Sequence, residues 1–176
     1  MVGITKKKLK EYLKQKSKEE LIKEIIKVCT TFESVRDYYM GKINPEADDK
    51  IIQKYKAIIK EEFFPSWGFG KARLSVARKA ISDYKKVSFS KKGLADIMLF
   101  YVEMGVAFTN FYGDINAPFY DSMESMYERA LKYIDKNGIK AKFRKRCKVI
   151  VDDTEGIGWG FHDGLSEIYY EYFKET

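Results

Sequence analysis

Histidine, cysteine and proline are scarce in this 176-residue chain, which has one His, two Cys and three Pro. With His162 alone, any mechanism or metal site built on two histidines is excluded, paired Glu-x-x-His motifs of a di-iron bundle included. Cys29 and Cys147 form no spacing motif, so neither a disulfide framework nor a cysteine zinc site is expected. The shortage of proline, beside abundant Lys, Glu, Ile and Ala, favours helix, and no segment reads as a strand. The basic N-terminus lacks an apolar run, so no signal peptide is expected. The most apolar stretch is interrupted by Asp96 and Glu103 and is too short to span a membrane. These absences point to a cytoplasmic chain with no membrane partner.

What is present is hydrophobic, aromatic and basic. Apolar residues make up 45% of the chain, with 13 Tyr and 12 Phe, which excludes wholesale disorder. The length suits one domain over residues 1–176, since two would each be small. The net charge of +7 is uneven: residues 139–148 carry six Lys/Arg and no acid, whereas from Asp152 onward seven acids face Lys174 alone. Such polarity steers an anionic partner or drives head-to-tail self-association.

Helix signals follow one another along the chain. Thr5 caps a helix through about Lys16, with Leu9, Tyr12 and Leu13 facing inward, and Ser17-Lys18-Glu19-Glu20 is a capping box for a second. A short element covers Ser34 to Lys42. Asn44-Pro45 opens a helix running to about Phe64. Further helices are expected over Lys71–Val87, from Ser90 to Tyr112, over Ala117–Asn137 closed by Gly138, over Ile139–Thr154, and from the second glycine segment to about Lys174. The helix after Ser90 is apolar on two faces and belongs in the middle of the protein. The pattern predicts an all-α domain of eight or nine antiparallel helices joined by short connections, in the manner of an α–α superhelix.

Two segments interrupt the helices, Trp67-Gly68-Phe69-Gly70 and Gly156-Ile157-Gly158-Trp159-Gly160-Phe161-His162-Asp163-Gly164. They hold six of the twelve glycines, both tryptophans and the only histidine. The repeated Trp-Gly-Phe suggests a two-fold duplication. The second segment lacks the third glycine of a dinucleotide fingerprint and the Gly-Lys-Ser/Thr ending of a P-loop. It is read either as a corner in which Trp159 and Phe161 plug the core, with both tryptophans largely buried, or as a pocket around Trp159, His162 and Asp163. In the second reading His162 acts as a base oriented by Asp163, Asp152 or Asp153. Cys147, flanked by basic residues, is a candidate nucleophile, but its apolar neighbours Phe143 and Ile150 argue for burial.

Three further features carry charge. Glu103, in the most apolar helix, needs a partner if buried, and Arg73 or Arg78 is expected to supply it; the other reading is a pocket acid. Asp121, Glu124 and Glu128 lie on one helix face, where pairing of Glu128 with Lys132 is the ordinary outcome; no metal site or cofactor is expected. Lys142, Arg144 and Arg146 belong to a basic run suited to phosphates, although Phe143 is the only aromatic among them, so nucleic acid is not the favoured partner.

Phe63-Phe64-Pro65 through Ser75, Tyr112-Gly113-Asp114-Ile115 through Tyr127, and Gly156 through Asp163 together resemble a bacterial family of small helical proteins known only as a domain of unknown function. The similarity covers nearly the whole chain and implies a single unit without an assigned activity. The combined reading is a non-enzymatic binding or scaffolding module for a protein or anionic partner, self-association included. Its binding residues are expected among Trp67, Arg73, Trp159, Phe161, Lys142, Arg144 and Arg146. The alternative is a small-molecule enzyme using His162, Asp163 or Glu103.

Overall fold

Capping residues set most helix starts. In the computed structural model, which describes residues 3–174, the helices are α1 (Lys6–Lys14), α2 (Lys18–Thr31), α3 (Glu33–Ile43), α4 (Asp48–Phe63), α5 (Leu74–Val87), α6 (Lys91–Tyr112), α7 (Ala117–Lys136), α8 (Lys140–Asp152) and α9 (Phe161–Tyr172). No strand occurs among the described residues. The capping box is formed in full: Glu20 N–H donates to Ser17 Oγ at 3.2 Å, and Ser17 N–H donates to Glu20 Oε2 at 2.7 Å. Gly138 ends α7 at φ 67°, with Ile139 N–H reaching back to the Ile134 carbonyl at 3.1 Å, the Schellman closure.

Two boundaries differ from the sequence expectation for physical reasons. Asn44-Pro45 starts a 3-10 turn, Pro45–Ala47, that feeds α4. Helix α5 begins at Leu74 rather than Lys71, because the chain before it is strapped along the end of α4. Ala72 N–H donates to the Glu62 carbonyl at 2.7 Å. A Cβ on Gly70 would meet the Phe63 carbonyl oxygen at 2.0 Å, so only glycine allows this approach.

Helix α6 runs through the centre and packs on α4, α5, α7 and α8. It is the one described helix long and apolar enough by composition to cross a membrane, and its neighbours explain that composition: Ile97, Leu99, Tyr101 and Val102 are wholly buried among them. At Gly105 a Cβ would meet the Met123 sulfur at 2.2 Å, so the missing side chain sets how closely α7 approaches. The antiparallel succession from α4 to α9 is consistent with the α–α superhelix inferred from the sequence.

The N-terminal hairpin departs from expectation. Neither α1 nor α2 contains a buried residue, and Leu9 and Tyr12 are exposed rather than turned inward. Helix α2 leans on α3, and Tyr12 of α1 donates to its Glu24 at 3.5 Å. Its amphipathic pattern describes a face without deciding what lies against it.

Candidate functional site

The up-and-down course of α4 to α9 brings three connections to one end of the molecule: residues 64–73, 113–116 and 153–160. The two Trp-Gly-Phe segments occupy the outer two, and the end of α6 with its following turn joins them. On one side Tyr112 stacks on Phe64, with ring centroids 6.4 Å apart, and meets the edge of Phe69 at 6.5 Å. Phe111 touches both Phe64 and Tyr112. On the other side Asn110 Nδ2 donates to the Asp153 carbonyl at 2.8 Å, and the Asp114 carboxylate lies beside Gly158. Tyr120, whose hydroxyl donates to Asp114 Oδ1 at 3.2 Å, stacks beneath Trp159 at 6.4 Å.

The tryptophans are not core plugs, which corrects the sequence expectation. Trp67 is 92% exposed and Trp159 62%, with Phe69 at 83% and Phe111 at 73% beside them. Only Phe161 fills the predicted corner, fully buried against Tyr120 at 4.9 Å; it is therefore inaccessible as a binding residue. The two segments also differ locally, since Phe69 projects outward where Phe161 turns in. Trp159 has φ 66° and Gly160 φ 69°. A left-handed tryptophan costs roughly 1–2 kcal/mol, and Tyr120 under the indole, with Phe161 anchored behind, holds it there. The result is a crown of protruding aromatic rings.

Charge around the crown is mainly acidic on the side of the second segment, where Asp114, Asp153, Glu155 and Asp163 are all exposed. On the first segment Arg73 is engaged rather than offered: its Nε and Nη2 donate to the two Glu62 oxygens at 2.8 and 2.6 Å. That fork holds the buried Glu62 carboxyl below its ordinary value, against the burial that pushes it up. Arg73 thus locks the strap to α4.

The enzyme candidates do not converge. His162 Nδ1 lies 3.0 Å from Thr154 Oγ1, whose own hydrogen goes to the Val151 carbonyl at 2.5 Å. The hydroxyl therefore accepts, which places the imidazole proton on Nδ1 and leaves Nε2 as an acceptor. His162 is oriented by a threonine and not by Asp163, Asp152 or Asp153. Cys147 is buried and its thiol is pushed up to about 12 by burial, the opposite of an activated nucleophile. Glu124 has its carboxylate against Gly164 of α9, and burial with Asp121 nearby raises it. No group of three potential metal ligands forms among the described residues.

Glu103 is paired, but its partner is Arg146 rather than Arg73 or Arg78. Arg146 Nε and Nη2 donate to Glu103 at 2.5 and 2.8 Å, and Nη1 donates to Asp96. Asp96 also receives Lys56 at 2.8 Å, so α4, α6 and α8 share one ionic cluster. Burial lowers the Arg146 guanidinium, and Glu103 and Asp96 more than restore it, leaving it raised. Arg146 is thereby withdrawn from the basic run as a projecting contact. Lys142 does project, against Lys92, whose ammonium holds it below its ordinary value; Arg144 is exposed with a partner of its own.

Sequence reasoning missed Phe111 and Asp114 as members of this end. Phe111, at the end of α6, and Asp114, on the connection after it, belong to a stretch without a tryptophan or a repeat, and only the helix succession brings them there. No curated protein and no solved structure matches the chain. A family match does cover residues 4–174, and it agrees with the resemblance carried by the segments around Phe63, Asp114 and Trp159. The chain belongs to DUF6155, a family of unknown function.

Proposed function

We propose that this chain is a non-enzymatic docking module whose aromatic crown receives a protein partner carrying a cationic, apolar segment. One observation carries the reading: Trp67, Phe69 and Trp159 on two connections and Phe111 at the end of α6 are all exposed at the same end, braced from beneath by Tyr112 and Tyr120. Large aromatic side chains facing water in one cluster are the usual mark of an interface. Rigid aromatic rings lose little entropy on binding. The exposed carboxylates of Asp114, Asp153, Glu155 and Asp163 favour a basic partner, whose Arg or Lys side chains stack on indole faces. The partner covers a surface and need not enter a cavity, in keeping with a histidine that no acid orients.

The test is calorimetric titration with two synthetic amphipathic peptides of equal length, one of Arg and Leu, the other of Glu and Leu. The Arg peptide is expected to bind and to blue-shift tryptophan emission, which comes only from Trp67 and Trp159. Trp67→Ser with Phe111→Ser should weaken it at least tenfold while the fold, followed by circular dichroism, is unchanged. Equal binding of both peptides, or no effect of the double variant, rejects the crown as the docking site.

A further inference from the structure

Part of the basic character of this chain is held in ion pairs. Lys54 goes to Asp37 and Glu33, Lys56 to Asp96, Arg73 to Glu62, Lys79 and Lys86 to Asp83, Lys140 to Asp135, Lys148 to Asp152 and Arg146 to Glu103. Of the cations outside these pairs, five are gathered along one groove. Helices α5 and α7 run in the same direction on either side of α6, and the groove between them, about 400 Å³, is lined by Arg78 and Lys85 from α5 and by Arg129, Lys132 and Lys136 from α7. Among the described residues none of these five cations takes part in an ion pair, and no carboxylate lines the groove.

The geometry is that of two facing rows. Arg78 and Lys85 are seven residues apart, as are Arg129 and Lys136, so each row is about 10 Å long at helical rise. The nearby acids are turned away: Asp83 faces Lys79 and Lys86 on another side of α5, and Asp135 is taken by Lys140. The floor is apolar, with Leu94 and Met98 from α6 and Met126 from α7.

Arg78 is held in place by neutral groups. Its Nη1 donates to Ser122 Oγ at 2.7 Å, and Ser122 is joined at 2.8 Å to the buried Tyr101 hydroxyl. The guanidinium is thus fixed without its charge being cancelled. Arg78 and Arg129 also line the adjoining hollow, where Asp121 is the carboxylate and Ser122 and Ser125 supply hydroxyls. Cations lining one groove repel one another, and a bound anion relieves the repulsion.

We infer that the α5–α6–α7 groove is a binding site for an elongated, phosphate-bearing small molecule, its phosphates lying between the two rows. The volume is that of a small-ligand site. Several charges along a line select a chain of anionic groups over a single carboxylate, and two arginines suit phosphate geometry. The source is either an inorganic phosphate chain or a nucleoside polyphosphate. The Leu94–Met98–Met126 floor gives the second an additional apolar contact for its base.

Calorimetric titrations of the full chain with inorganic tripolyphosphate and with ATP, without magnesium, test this. Both are expected to bind, with affinity falling as salt rises; tighter binding of ATP shows that the floor is used, and equal affinity shows recognition of the phosphate chain alone. Arg129→Glu with Lys132→Glu, both exposed, should weaken binding at least tenfold at unchanged circular dichroism. Ser122→Ala, which frees Arg78, should weaken it severalfold. Lys142→Glu with Lys145→Glu on α8 removes the same charge elsewhere and should leave affinity within about twofold. Equal loss in this control, or no binding of either probe at low salt, overturns the proposal. So does tighter binding of a 20-base-pair DNA duplex than of either probe, which assigns the rows to a nucleic-acid surface.

Discussion

Arg146 chelates Glu103 side-on, Nε to Oε1 at 2.5 Å and Nη2 to Oε2 at 2.8 Å, and ties helix α8 to the central helix. Without it two carboxylates on α6 lose their common cation, and Lys56 remains only for Asp96. Both side chains of the pair are less than a third exposed. Arg146→Met should therefore destabilise by about 2–3 kcal/mol, below the full cost of breaking a wholly buried pair. Urea unfolding measures it, and a midpoint unchanged from wild type contradicts a structural role for the cluster.

The exposure of the tryptophans separates two kinds of aromatic residue in one motif. Trp67→Ala should change stability by less than about 0.5 kcal/mol, as a surface substitution does. Phe161→Ala should cost about 3–5 kcal/mol, as truncation of a buried aromatic does. Thermal melts of the two variants decide, and a large loss in Trp67→Ala means that its indole is packed.

Cys147 and Cys29 should react on different schedules. The buried Cys147 thiol, raised to about 12, stays protonated and covered at neutral pH, whereas Cys29 is partly exposed. A thiol reagent should label one cysteine rapidly in the native chain and the second only on unfolding. Two equally fast cysteines contradict the burial.

The same thiol sets part of the alkaline limit. Its pKa rises from about 9 unfolded to about 12 folded, so above pH 9 the unfolded state releases a proton that the native state keeps. Stability is complete below pH 9 and falls as pH rises toward 12. The buried Tyr84, Tyr101 and Tyr127 hydroxyls, raised chiefly by burial from an ordinary value of 10, add to the loss at higher pH. The Cys147→Ala variant should begin its decline about one pH unit later than wild type. Coincident declines in a series of melts mean that Cys147 ionises equally in both states.

Gly70 tests the strap that presents the first crown segment. A methyl group there meets a backbone oxygen that cannot swing aside, so Gly70→Ala should cost about 2 kcal/mol or more and weaken any crown ligand. Full stability with wild-type binding shows that the strap can lift without consequence.

Helix was legible in the residues because capping and periodicity are local: Ser17 with Glu20, Asn44 with Pro45, and Gly138 each act over a few positions. The central place of α6 was legible too, since a helix apolar on two faces has nowhere else to go. The burial of Cys147 followed from Phe143 and Ile150 on the same face. What the chain did not reveal is which residues distant in sequence meet. Glycine and aromatics announce a corner, but whether Trp159 points in or out depends on Tyr120 and Phe161 competing for the space beneath it. Glu103 required a cation, and the choice among Arg73, Arg78 and Arg146 was made by the packing of α8 on α6. The basic run at 140–148 was conspicuous as sequence, yet folding engages Arg146 and Lys148, while Arg78 and Arg129, unremarkable along the chain, face each other across a groove. Local chemistry determined the elements and their faces; long-range packing decided which charges were cancelled, and so which remain for a partner.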